Sequence, residues 1–140
     1  MIQRQQTLWL LLATAAAVLS FMLPFATGEK LVNGRIIGGK EELHAGKDFF
    51  ILLLTIVSIC ISVVTIALFR DRKLQIKLCL LGLVFSVLIV VLYIWQLNTL
   101  TKPTLALFCI FPFIVVVSYF LAFRNIRKDE KLVKSLDKLR

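Results

Sequence analysis

The sequence is poor in the residues that carry most enzyme chemistry. It contains a single histidine, His44, and no Gly-rich phosphate loop, GxSxG elbow or HExxH motif. Glu41, Glu42 and Asp48 lie near His44, but a metal site needs several ligands at a workable spacing, so a solvated loop histidine is favoured. The sequence therefore predicts no catalytic residue, no metal site, no cofactor and a protein that is not an enzyme.

The sequence also lacks closely spaced cysteine pairs, and its apolar stretches lack charged residues. The three cysteines, Cys60, Cys79 and Cys109, fall inside or at the edge of apolar stretches and form no CxxC pair. This placement disfavours structural disulfides and thiol-redox relays. The apolar stretches contain no Asp, Glu, Lys, Arg or His, whereas proton-coupled carriers normally keep an ionisable group at membrane depth. A proton-driven transporter is disfavoured for that reason.

Long charge-free apolar runs are what the chain has in abundance. Of its 140 residues, 59% are hydrophobic, against about 45–50% in soluble domains. The runs cover residues 8–25, 49–69, 78–97 and 105–123. At roughly 1.5 Å rise per residue each is about 27–31 Å long, close to the ~30 Å hydrocarbon core of a bilayer. The predicted fold class is all-α, a polytopic membrane protein with four transmembrane helices in a single membrane domain of residues 1–140.

A signal peptide is the alternative interpretation of the first run. The segment MIQRQQ is a basic n-region, and small residues at Ala26–Gly28 have cleavage-site spacing. The apolar stretch of 18 residues nevertheless exceeds the roughly 7–15 of a signal h-region. A retained helix is therefore favoured, and the other three helices keep their topology in either case.

The distribution of Lys and Arg predicts the orientation of the helices. With the N-terminus in the cytoplasm, twelve basic residues lie inside and five outside. Both ends are therefore predicted to be cytoplasmic, with an outer loop over residues 26–48 and a cytoplasmic tail over residues 124–140. The net charge of +9 is mostly this orientation signal, so nucleic-acid binding is disfavoured.

Small and hydroxyl residues indicate how the helices meet, because burial away from water does not drive helix association in lipid. Four hydroxyls of the second helix form one stripe about 80° wide at 100° per residue. With two small residues of the third helix they are the candidate packing residues: Thr55, Ser58, Ser62, Thr65, Gly82 and Ser86. The alternative is that the stripe lines the polar path of an oligomeric pore or transporter.

Two local features are predicted to interrupt regular helix. In the outer loop, the pair Asn33-Gly34 suits the turn of a short hairpin, and Gly38-Gly39 is predicted to break its second arm. A hairpin with only three residues in each strand is marginally stable, so it is predicted to form a cap of low stability over the helices. In the fourth helix, Pro112 is predicted to produce a kink, because its ring removes a backbone donor.

The tail, RNIRKDEKLVKSLDKLR, is the one segment whose composition suits a partner. Residues 130–139 are predicted to form an amphipathic helix with Asp129 as its N-cap. Ten residues are marginal alone in water, so its leucines need a surface, either anionic lipid or a protein in the cytoplasm or the membrane. The candidate docking residues are Arg127, Lys128, Lys131, Leu132, Lys134, Leu136, Lys138 and Leu139. Asp129, Glu130 and Asp137 dilute the positive charge, which favours a protein partner.

The segments MIQRQQTLWLLLA and RNIRKDEKLVKSLDKLR resemble the two ends of a family of small four-helix membrane proteins from Bacteroidetes-type bacteria, a family known as a domain of unknown function. The resemblance implies a bacterial inner-membrane location and one domain, and it lends no catalytic residue. The leading hypothesis is a non-enzymatic accessory or scaffold protein whose cytoplasmic face binds a partner or the lipid surface. The alternative is the oligomeric pore or transporter lined by the hydroxyl stripe.

Overall fold

The computed structural model describes residues 2–32, 35–68 and 71–138, which form four long helices and one small sheet. In chain order the elements are α1 (Ile2–Met22), β1 (Ala26–Val32), β2 (Arg35–Leu43), α2 (Phe49–Ala67), α3 (Arg72–Leu97), β3 (Leu100–Leu105), a 3₁₀ turn (Leu107–Cys109) and α4 (Ile110–Asp137).

All four helices are long and apolar enough to cross a membrane, with mean hydropathies from 1.4 to 2.9. Only about a third or less of each apolar segment is buried inside the protein. Large apolar side chains therefore cover the outer surface of the bundle, among them Leu53, Val63, Val91 and Phe120. Such a surface suits lipid better than water, and the predicted all-α class with four membrane-length helices is confirmed.

Each helix packs mainly against two neighbours, so the bundle has a ring order of α1, α2, α3 and α4. The largest core cluster combines small residues of α1 with bulky residues of α4. Ala13 and Ala17 of α1 belong to the same buried cluster as Tyr119 and Ile126 of α4, and small side chains of this kind let helix backbones approach closely. The start of α1 and the end of α4 lie at one end of this bundle, here called the terminal end.

The opposite end is closed by a three-stranded antiparallel sheet in the order β2-β1-β3, here called the sheet end. The predicted hairpin of three residues a side is too small, because β1 and β2 are seven and nine residues long. The prediction that Gly38-Gly39 breaks the second arm is wrong. These glycines lie within β2, opposite a register shift between Glu29 and Leu31, where the extra residues form a bulge. The turn at 33–34 lies outside the described residues.

The third strand was missed because it lies in the short connection between α3 and α4. Side chains of Thr27 and Thr104 approach to 2.9 Å, and the Thr104 hydroxyl donates to the Thr27 carbonyl oxygen at the same distance. The sheet also rests on the bundle through Phe25, whose ring stacks on Tyr93 with centroids 4.4 Å apart. The connection between α1 and α2 and that between α3 and α4 are therefore joined into one cap.

Helix ends differ from the predicted runs for local reasons. The first apolar run extends to residue 25, but α1 ends at Met22, because the residue before Pro24 is disfavoured in helical conformation. The fourth run was started at residue 105, which belongs to β3, and α4 begins at Ile110. Pro112 therefore lies in the first helical turn, where its missing N–H breaks no intrahelical bond, so no kink follows from it.

Candidate functional site

The tail is the distal half of α4 and not a separate helix. α4 runs without interruption from Ile110 to Asp137, so the prediction that Asp129 caps a new helix is wrong. The physical reason is that no glycine or proline stands between Phe123 and Asp137 to end the helix begun in the apolar run. The tail is thus a rigid extension of a membrane-length helix.

Two acidic side chains of the tail are engaged in ion pairs. Asp129 Oδ2 lies 3.6 Å from Arg72 Nη1 at the start of α3, which attaches the tail to the connection between α2 and α3. Lys134 Nζ donates to Glu130 Oε1 at 2.9 Å within the tail. This hydrogen bond lowers the pKa of the Glu130 carboxyl, which lies beyond the apolar part of α4. These two carboxylates are therefore used within the chain, whereas Lys128, Lys131 and Lys138 are exposed to solvent.

The predicted docking residues lie on the exposed sides of the tail. Leu132 and Leu136 are 44% and 66% exposed, although both are large apolar side chains. The cationic candidates Lys128, Lys131, Lys134 and Lys138 are exposed as well. The guanidinium of Arg127 lies 5.5 Å from the ring centroid of Phe123, a cation–π contact on the helix itself. Leu139 lies outside the described residues.

The depth of these residues follows from the continuity of α4. Taking Phe123 as the last residue of the charge-free run, Leu132 and Leu136 lie about 13 and 19 Å farther along the axis at 1.5 Å per residue. The headgroup region of one leaflet is only about 5–8 Å thick, and an average tilt of about 20° shortens these heights by only about 6%. With Phe123 at the edge of the hydrocarbon, the two exposed leucines would therefore lie past the lipid headgroups.

The hydroxyl stripe of α2 lies inside the bundle, where all four of its side chains are buried. Ser62 Oγ lies 2.6 Å from Thr14 Oγ1 of α1 and 3.0 Å from the Leu10 carbonyl oxygen. Thr55 and Thr65 instead donate to carbonyl oxygens one turn earlier in α2. Ser62 thus links α2 to α1, and Ser58 links α2 to α4, because its Oγ lies 3.4 Å from the Tyr119 hydroxyl. The two threonines instead form their hydrogen bonds within α2.

Tyr119 of α4 contacts two further candidate packing residues, Ser58 of α2 and Gly82 of α3. Its hydroxyl donates to the Ser58 carbonyl oxygen at 2.7 Å, and its ring lies against Gly82 of α3. A methyl group at Gly82 would lie 2.5 Å from a ring carbon of Tyr119, so only glycine fits there without movement. Ser86, one turn farther along α3, is buried and donates to the Leu83 carbonyl oxygen at 2.8 Å. The centre of the bundle is therefore built around this tyrosine.

The space between the hydroxyls is too small for a path. A cavity lined by Ser20, Thr55, Ser58 and Ser86 has about 10 Å³ accessible to the centre of a water molecule. That volume holds one water at most. The stripe also faces its own helices and not a second copy, so this arrangement gives no support to the pore alternative.

Sequence reasoning found the stripe of α2 but missed its partners. Nothing in the local sequence distinguishes Tyr119 from the tyrosines and tryptophans expected at membrane interfaces, because its role depends on Gly82 across the bundle. Thr14 was missed because one hydroxyl within a run of alanines forms no stripe. Among residues 2–32, 35–68 and 71–138 no group of three His, Cys, Asp or Glu side chains is arranged to hold a metal ion.

Comparison with known proteins gives one match. No curated protein and no solved structure matches the chain. The match is to the family described as "Domain of unknown function (DUF4293)", and it extends over residues 2–139, which include the four helices, the sheet and the tail. Because nearly the whole chain is covered, this protein belongs to the DUF4293 family.

Proposed function

We propose that this protein is a non-catalytic accessory or scaffold protein of the bacterial inner membrane, with both chain ends in the cytoplasm. In this proposal residues 1–140 form one membrane domain, and the exposed leucines of the tail bind a soluble protein. The twelve-to-five distribution of basic residues supports the orientation. The resemblance of both chain ends to a bacterial membrane family supports the location.

The height of Leu132 and Leu136 is the observation that carries the proposal. Two large apolar side chains are exposed on a rigid helix at about 13 and 19 Å beyond the apolar run. Lipid cannot cover them at that height unless α4 tilts strongly, and the ion pair between Asp129 and Arg72 holds the tail against α3. A protein surface is the remaining cover for them.

The chemistry of the tail defines the kind of partner. Leucines at positions i and i+4 suit an apolar groove that accepts one face of a helix. Exposed lysines flank them at Lys131 and Lys138, so an acidic rim around that groove would be complementary. Apolar contact supplies most of the affinity in such a complex, and the rim charges mainly affect the association rate.

Hydrogen exchange of residues 130–138 tests this proposal. The full-length protein is placed in neutral and in anionic lipid nanodiscs, each with and without the soluble extract of its own cells. We expect slow exchange of the tail only when extract is present, in both lipid compositions, with little dependence on salt.

Matched variants identify the surface responsible. The double substitution Leu132→Ser and Leu136→Ser should abolish the protection that the extract provides, whereas Lys134→Gln with Lys138→Gln should preserve most of it. Protection that appears in anionic nanodiscs alone and disappears with added salt would mean that the tail binds lipid. Fast exchange under every condition would mean that the tail has no binding partner, and either result would refute the proposal.

A further inference from the structure

A groove between α1 and α4 opens on the outer surface near the terminal end. It encloses about 680 Å³, within the roughly 300–1,000 Å³ typical of small-molecule sites. Four apolar side chains form its floor and walls, and four polar side chains its rim. The apolar group comprises Leu8, Trp9, Leu12 and Leu121, and the polar group comprises Gln5, Arg124, Asn125 and Lys128.

The two groups are separated along the bundle axis. Leu8 is the first residue of the charge-free run of α1, and Gln5 precedes it by three residues, or about 4.5 Å. On α4, Arg124 and Lys128 lie about 1.5 and 7.5 Å beyond Phe123, which is the depth of the lipid headgroups. The groove therefore has apolar walls at hydrocarbon depth and a cationic rim at headgroup depth.

The two cations of the rim are available for an external anion. Both are exposed, and neither forms an ion pair with another of the described residues. The nearby carboxylates are engaged elsewhere, Asp129 with Arg72 and Glu130 with Lys134. Arg124 and Lys128 are also four residues apart, so they project from the same side of α4 one turn apart.

We propose that this groove binds a glycerophospholipid with an anionic headgroup. Its phosphate accepts hydrogen bonds from Arg124 and Lys128, and the amide groups of Gln5 and Asn125 can donate to the glycerol or headgroup oxygens. Its acyl chains lie along Leu8 and the other apolar walls. This site is separate from the proposed protein-binding leucines, which lie farther out on α4.

Charge and depth together favour lipid over other occupants. A soluble anion would satisfy the two cations but leave the apolar walls uncovered, and a soluble protein would not reach hydrocarbon depth. A basic pocket between transmembrane helices at headgroup level is the usual setting for anionic lipid recognition. A lipid with a zwitterionic headgroup fills the same walls, but its own cation weakens the contact with the rim.

Trp9 lies in the groove and provides a direct reporter. In a Trp95→Phe variant of the full-length protein, Trp9 is the remaining tryptophan. Its fluorescence is measured in vesicles containing equal fractions of brominated phosphatidylglycerol or brominated phosphatidylcholine, since bromine on a neighbouring chain quenches the indole. We expect the relative binding constant at Trp9 to favour phosphatidylglycerol by up to about twenty-fivefold, because each of the two basic residues near the anionic headgroup contributes roughly a fivefold factor.

The preference should fall to about twofold or less in the double variant Arg124→Gln and Lys128→Gln. A matched control, Arg127→Gln with Lys131→Gln, removes the same charge from another side of α4 and should keep the preference. Unchanged quenching by brominated phosphatidylcholine and unchanged helix content would show that both variants remain folded.

Three results would overturn the proposal. Equal quenching by the two lipids would show that the groove does not select an anionic headgroup. An equal loss of preference in both double variants would assign the effect to the overall charge of the helix. An absence of quenching by either lipid would mean that protein covers the groove, as a second copy of the chain would.

Discussion

The contact between Gly82 and Tyr119 makes the packing of this bundle directly testable. In the variant Gly82→Ala, the new methyl group would lie 2.5 Å from one carbon of the Tyr119 ring and 2.7 Å from another. Ordinary contact needs at least about 3.4 Å, so the ring or the backbone must move by about 0.9 Å. The ring is only 1% exposed and its hydroxyl donates to Ser58, so it has little room to move.

The expected loss of stability in Gly82→Ala combines three effects. Overpacking of a filled core costs about 1–3 kcal/mol. Loss of the bond between Tyr119 and the Ser58 carbonyl adds about 0.6 kcal/mol, the average for hydrogen bonds between membrane helices. Replacing glycine by alanine within a helix stabilises the helix by up to about 1 kcal/mol, which offsets part of this loss. We therefore expect Gly82→Ala to lower the free energy of unfolding by about 0.6–2.6 kcal/mol.

A double-mutant cycle separates the contact from the helix propensity. Unfolding of the full-length protein in mixed micelles is followed by circular dichroism for Gly82→Ala, for Tyr119→Ala and for the double variant. In the Tyr119→Ala background the ring is absent, so Gly82→Ala should be neutral or stabilising. If Gly82→Ala stabilises the protein with the tyrosine present, or destabilises it equally in both backgrounds, the reasoning is refuted.

Two further predictions concern the buried hydroxyls and the topology. Ser62→Leu should destabilise the protein by about 1–3 kcal/mol, because it inserts a larger side chain between α1 and α2, whereas Val63→Leu on the exposed side should change stability by less than about 0.5 kcal/mol. Equal effects in the same micelle assay would contradict the assignment of the stripe to packing. In a cysteine-free background, a membrane-impermeant maleimide added to intact cells should label Glu42→Cys but not Lys131→Cys. The reverse pattern would invert the proposed orientation.

The helices could be predicted from sequence because a bilayer imposes a simple rule on them. A span must be about 20 residues of apolar sequence, and its backbone must satisfy its own hydrogen bonds, so composition alone locates it. The same argument located the stripe from Thr55 to Thr65, since a polar side chain on an otherwise apolar helix has to face something other than lipid. The same argument predicts that the neighbouring Ile59 and Val63 face lipid; Val63 is exposed, but Ile59 packs partly against the core.

The sheet and the terminal end could not be predicted in the same way. β3 pairs with β1 across a separation of more than 70 residues, and a short run such as LTKPTL carries no local signal of a strand partner. The tail was divided from the fourth helix because its composition changes at Arg124, yet backbone propensity continues unchanged across that point. Composition marks where the surroundings of a helix change, and this need not be where the helix ends.

In the proposed membrane placement, one face of α4 passes through three surroundings without a break. Leu121, Asn125, Lys128 and Leu132 are spaced by four, three and four residues, so at 100° per residue they lie within about 60° of one another. Along that face the side chains change from apolar at hydrocarbon depth, to amide and cationic at headgroup depth, and back to apolar in water. An amphipathic helix lying on the membrane would instead keep its apolar and basic groups at one depth, on opposite sides of the helix. α4 is continuous, so if it stands upright in the membrane as proposed, its cations can meet lipid phosphates while the leucines beyond them meet a protein.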